Sequence, residues 1–144
     1  MIGTQTFGPA YQFTNESKLI ETARAILAMG SNTIKFRVRS IGDDERRVFE
    51  MPFAHYVLWA ETEELSELVR YLLKTYSGTG KTFYLGHWEG DWMLRVSGNT
   101  KDEDNVTPAK IQKMIDWLNT RQRAVDDAKR VTPHSVVEVY HYTD

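Results

Sequence analysis

Thr33-Ile34-Lys35-Phe36-Arg37-Val38 alternates apolar with polar side chains and draws on β-branched and aromatic residues, which is the pattern of a strand. Upstream, Leu19, Ile20, Ala23, Ile26 and Leu27 recur at helical spacing. Thr14 or Asn15 is placed to cap that helix and Gly30 to end it. Further upstream, Thr4 to Phe7 reads as a short extended start that Gly8-Pro9 breaks. The three pieces form a strand–helix–strand unit.

Downstream, Arg39 to Pro52 is rich in charge and shows no sustained periodicity, so it reads as a solvated connection. Phe53 to Ala60 reads as a third strand. Thr62, followed by Glu63 and Glu64, opens a helix whose buried face is Leu65, Leu68, Val69, Leu72, Leu73 and Tyr76. Ser77-Gly78-Thr79-Gly80 stops it. Thr82 to His87 is apolar enough to suggest a strand covered on both faces. After a polar stretch from Asn99 to Asn105, Thr107 and Pro108 start a long helix with a stripe of Ile111, Met114, Ile115, Leu118, Gln122 and Val125. Arg121 and Arg123 fall on it as solvated charges. Val136 to Tyr142 reads as the last strand.

Alternation of this kind calls for a mainly parallel sheet with right-handed crossovers. The expectation is an α/β fold forming a single domain over residues 1–144, with about five strands and three main helices. At 144 residues the chain is short for a closed eight-stranded α/β barrel, which usually needs about 200 or more.

Composition narrows the function. Eighteen Lys and Arg against 20 Asp and Glu leave a formal charge of -2, so there is no positive excess to collect nucleic acid or anionic lipid. The absence of cysteine excludes disulfides, thiolate metal sites and cysteine nucleophiles. No apolar run approaches the roughly 18 residues of a membrane span and no signal peptide is evident, so neither membrane nor compartment is indicated.

In parallel α/β sheets, chemistry gathers at the C-terminal ends of the strands. His87-Trp88-Glu89-Gly90-Asp91-Trp92 follows the fourth strand and sets two acids among two tryptophans and a histidine. Aromatic rings cover the apolar faces of sugars, while carboxyl groups bind hydroxyls or transfer protons. A carboxyl group beside apolar rings resists ionisation, as a general acid must at neutral pH. Glu89 is the candidate acid/base and Asp91 a weaker one. Asp91 alternatively orients the turn, and both tryptophans alternatively belong to the core. Arg37, His87, Trp88, Trp92 and His141 are the candidate substrate-binding residues. The four histidines lack ligand spacing, so no metal is expected, and no cofactor fingerprint occurs. Gly78-Thr79-Gly80-Lys81-Thr82 precedes a strand and lacks the full phosphate-loop spacing.

Gly3 to Tyr11, Lys81 to Trp92, Trp117 to Ala128 and Val137 to Tyr142 together resemble the N-terminal half of uncharacterised TIM-barrel proteins similar to retaining glycoside hydrolases. The resemblance covers most of the chain, and His87 to Trp92 is its most specific part. It implies a half-barrel, with Glu89 at the strand-four position of the general acid/base. Trp88 stands where that pattern has asparagine. The second carboxylate of glycoside hydrolysis is not identifiable.

Two accounts follow. The first is a glycosidase-like barrel half acting on carbohydrate and completed as a homodimer, because an open apolar sheet is covered most simply by a second copy. Glu138 is then a further acidic candidate. The second is a non-catalytic carbohydrate- or protein-interaction module, or a folded barrel fragment.

Overall fold

A computed structural model of the chain describes residues 3–5, 12–60, 62, 64–87, 94 and 106–143. Its elements, in chain order, are β1 (Gly3–Gln5), α1 (Lys18–Ala28), β2 (Thr33–Val38), α2 (Asp43–Phe49), β3 (His55–Ala60), α3 (Leu65–Thr75), β4 (Thr82–Gly86), α4 (Pro108–Val131) and β5 (Glu138–His141). The strands form one sheet in the order β1-β2-β3-β4-β5, and every neighbouring pair is parallel. The fold is α/β with a parallel sheet, as the alternation of patterns predicts.

Strand order equals sequence order, so each connection advances the sheet by one position in the same direction. Ile34, Phe36 and Val38 of β2 share one buried cluster with Tyr56, Leu58 and Ala60 of β3, Phe83 and Leu85 of β4, and Val139 of β5. The same cluster takes Ile20, Ala23 and Ile26 from α1, Val48 and Phe49 from α2, Leu68, Leu72 and Leu73 from α3, and Val125 and Ala128 from α4. All four described helices therefore cover one face of the sheet. The alternate strand residues, Lys35, Arg37, Val57, Trp59, Tyr84 and Tyr140 among them, lie on the opposite face.

Several readings are corrected. The connection from Arg39 to Pro52 contains α2, a helix of just under two turns that buries Val48 and Phe49 completely. Phe49 sits at the centre of an aromatic cluster, with ring centroids 5.5 to 5.9 Å from Phe36, Tyr56, Tyr76 and Phe83. The cap of α1 is Ser17, whose Oγ accepts from the Ile20 amide at 3.4 Å. Thr14 is drawn away from that role by the Glu21 carboxylate, which accepts from its backbone and hydroxyl at 3.1 and 3.0 Å. Likewise, α3 starts at Leu65 with Glu64 as its cap residue, past Thr62.

β4 is covered by helices on one face only. Phe83 and Leu85 are fully buried, while Thr82 and Tyr84 on the other face are half-buried. The aromatic character of Tyr84 is accounted for by its neighbour, since its ring stacks on Tyr140 of β5 at 5.7 Å. β1 is described over Gly3–Gln5, with Thr6 and Phe7 of the expected strand outside the described residues, and β5 spans Glu138–His141, inside the expected Val136 to Tyr142. The long helix α4 packs through Arg121, Val125 and Ala128, whereas Ile111 and Ile115 of its predicted stripe are 43% and 45% exposed. At about 1.5 Å per residue its 24 residues outrun the five-residue strand it covers, so its first turns project past the sheet. Among the described residues, no helix is long and apolar enough to cross a membrane.

Candidate functional site

Two constellations meet at the C-terminal ends of the strands, on opposite faces of the sheet. On the helix-covered side, Arg121 of α4 is 7% exposed, although an amphipathic reading of that helix makes it solvated. Its guanidinium donates through Nη2 to the carbonyls of Ala60 and Gly86, at 3.1 and 3.2 Å, and through Nε to Nε2 of His141 at 3.3 Å. Those partners terminate β3, β4 and β5. Backbone carbonyls at strand ends need donors, and the planar fork of arginine supplies several at once. Burial lowers the Arg121 pKa.

Arginine has no acceptor, so His141 must accept at Nε2, and its ring proton is assigned to Nδ1. Burial, the Arg121 charge and His87 together hold the His141 pKa down at about 4, against a weaker opposing pull from Asp126. His87, just past β4 and 3% exposed, packs edge-on against Trp117 with ring centroids 5.0 Å apart. The Arg121 guanidinium also lies over the Trp117 ring at 5.1 Å. The structure thus brings His87 and His141 together around two residues of α4.

Across the sheet, register aligns the helix-free face into rows. Lys35 is level with Val57, Val57 with Tyr84, and Tyr84 with Tyr140. Nearer the C-terminal ends, Arg37 is level with Trp59 and Trp59 with Gly86. Tyr142 extends the second row, its amide donating to the Leu85 carbonyl at 3.1 Å. The Lys35 ammonium sits 4.4 Å from the Trp59 ring centroid, and Trp59 Nε1 donates to the Tyr142 hydroxyl at 3.1 Å. Trp59 is 7% exposed and serves as a support for its neighbours; Arg37 and Tyr140 are exposed.

The predicted substrate residues are therefore divided, with Arg37 on the helix-free face and His87 and His141 on the other. Trp88, Glu89, Asp91 and Trp92 lie outside the described residues. Glu138 is exposed at the start of β5, its carboxylate 3.2 Å from Lys129. Among the described residues, no three His, Cys, Asp or Glu side chains converge in a way that holds a metal.

A separate cleft of about 270 Å³ opens between the segment following β2 and α3, lined by Arg39, Ile41, Arg46, Thr62, Glu64 and Tyr71 among others. It falls at the lower limit of small-molecule pockets, roughly 300 Å³, and mixes both charge signs. Lys35, Tyr84, Tyr140, Trp117 and Arg121 were not legible as site residues from sequence, whereas Trp59 and Tyr142 fall in the strand-end segments where chemistry is expected. The alternation of β2, continued across the sheet, is the signal that would have grouped Lys35, Tyr84 and Tyr140 with them.

No family model matches the chain, and neither the curated proteins nor the solved structures contain a match to it.

Proposed function

We propose that the chain is a glycoside-hydrolase-like half-barrel that binds or cleaves carbohydrate on the helix-free face of its sheet. The observation that carries this reading is the surface made by Tyr84, Tyr140 and Tyr142 around Trp59, beside Lys35 and Arg37. In a (β/α) barrel the helix-free face is the interior, and ligands enter at the C-terminal ends of the strands. Tyrosine offers an apolar ring for the faces of a sugar and a hydroxyl for its polar rim. Sequential order of parallel strands with all described helices on one side is the arrangement such a barrel repeats.

Glu89, two residues beyond His87, is the candidate acid/base in this reading. A second copy is the proposed cover for the open face, and the native mass by light scattering tests it: twice 16.7 kDa supports the dimer and 16.7 kDa removes it. The function is tested by a panel of oligosaccharides and aryl glycosides with the parent chain, Glu89→Gln and Tyr140→Ala. Turnover lost in Glu89→Gln with binding kept supports hydrolysis. Binding without turnover in the parent, weakened in Tyr140→Ala, supports the non-catalytic module. No saccharide bound by any form overturns the reading.

A further inference from the structure

We propose that the cleft between the segment following β2 and α3 binds a small zwitterion with an apolar body, a free amino acid or a dipeptide. This goes beyond the carbohydrate reading, which concerns the other face of the sheet. The cleft, of about 270 Å³, opens on the helix-covered side, since Val38 and Leu68 of its lining belong to the buried cluster. Glu64, Glu67, Leu68 and Tyr71 form one wall, at the spacing that puts residues on one side of a helix. The opposite wall carries Arg39, just past β2, and Arg46 of α2. Two anionic and two cationic residues thus line one small space, and no described ion pair joins the walls.

Arg46 meets Asp43 at 3.4 Å, but both side chains are more than half exposed, and an exposed pair of this kind holds little. Thr62, between β3 and α3, lines the same cleft, and its hydroxyl is buried with no hydrogen-bonding partner among the described residues. A buried hydroxyl left unmet is unfavourable, so a polar group brought to it is favoured. A ligand with one charge would be matched on one wall and would leave the charges of the other facing an apolar body. A zwitterion meets both, its carboxylate received by arginine, whose fork suits that group, and its ammonium by glutamate. Leu68 and Tyr71 cover the apolar body between them. The volume sits just under the roughly 300 Å³ at which drug-sized pockets begin, which fits a ligand of amino-acid or dipeptide size. Glu61 and Glu63, on either side of Thr62, lie outside the described residues. The pairing uses charges that are present on both walls and does not require others to be missing.

The test is a titration of the full isotope-labelled chain with leucine, glycyl-leucine, N-acetylleucine and leucinamide at low salt, followed by amide chemical shifts. Leucine or glycyl-leucine is expected to shift amides of residues 38–41 and 62–71 in a saturable way, and to bind roughly tenfold or more tightly than either singly charged analogue. The leucine and glycyl-leucine arms distinguish a free amino acid from a dipeptide. Arg46→Gln is expected to weaken the zwitterion several-fold and leave leucinamide unchanged. Glu67→Gln should weaken it several-fold and leave N-acetylleucine unchanged. Lys113→Met removes an exposed charge on α4 and serves as control. Equal affinity for all four ligands overturns the inference, as does the absence of a saturable shift with either zwitterion. The same loss in Lys113→Met as in Glu67→Gln also overturns it, because the effect is then general charge. The analogue series is run on the parent chain, so it decides the matter even where a variant fails to fold. None of these outcomes touches the saccharide panel, so the two readings fail separately.

Discussion

Trp59 Nε1 and the Tyr142 hydroxyl meet at 3.1 Å across 83 residues of sequence, and the backbone of Gly86 is what allows them to. A Cβ at Gly86 would run into the Tyr142 ring, which lies against that glycine. Gly86→Ala is therefore expected to displace Tyr142, break its bond to Trp59 and destabilise the fold by about 1–3 kcal/mol, the range for overpacking. Urea denaturation checks it. Gly86→Ala combined with Tyr142→Ala should recover part of the loss, since the second change removes the obstruction.

Arg121 holds three strand ends together, and its removal leaves the Ala60 and Gly86 carbonyls and His141 Nε2 without their donor. Arg121→Met is expected to cost about 2–5 kcal/mol, since each stranded buried acceptor costs about 1–3 kcal/mol when unmet. Arg121→Lys keeps a charge but not the fork, and should recover less than half. The denaturation midpoints of the three proteins decide it.

His141 predicts a stability profile on the acid side. Its folded pKa of about 4 lies below the ordinary histidine value of 6.5, so the folded state binds its proton later than the unfolded state does. Above pH 6.5 both states are neutral there and the group is silent. As pH falls from 6.5 towards 4, the unfolded chain takes up a proton that the native one refuses, and stability declines; below 4 the contribution flattens. The ring is partly solvated, so the total is about 1–2 kcal/mol. Thermal unfolding at pH 7 and pH 4.5 should show a smaller difference for His141→Gln than for the parent chain.

Phe49 shows where the sequence was hard to read. It buries its whole ring among four aromatics from the end of a seven-residue helix. Phe49→Ala is expected to destabilise by about 3–5 kcal/mol, with a fall in near-ultraviolet circular dichroism as the cluster loosens. A helix of under two turns with five charged residues, Asp43 to Arg47, offers no period to detect, so it reads as a wet loop. What marks it instead is local: Glu45 reaches back to accept from the Gly42 amide at 3.1 Å, and acidic residues precede basic ones along the axis.

Strands β2 to β4 and helices α1 and α3 were legible because each buries a regular stripe, which is written in the order of residue types. Ile34, Phe36 and Val38 declare one face of β2 by alternation alone, and Leu68, Leu72 and Leu73 declare one side of α3. Arg121 was not legible, since nothing near it in sequence distinguishes a solvated arginine from one that inserts among carbonyls contributed 35 and 61 residues away. The Lys35, Trp59 and Tyr142 association is hidden for the same reason: it exists only once parallel pairing sets three distant segments level.

At the margin of the sheet, β5 turns the amide and carbonyl of Val139 away from β4, and Lys129 Nζ donates to that carbonyl at 3.1 Å while lying 4.7 Å from the Tyr140 ring. The first acceptor an incoming strand would seek is already occupied, by an ammonium that also pairs with the Glu138 carboxylate at 3.2 Å. Lys129→Met should leave the monomer folded yet prone to form thioflavin-positive deposits on warming, because one side chain is what keeps this margin from acting as a template for fibrils.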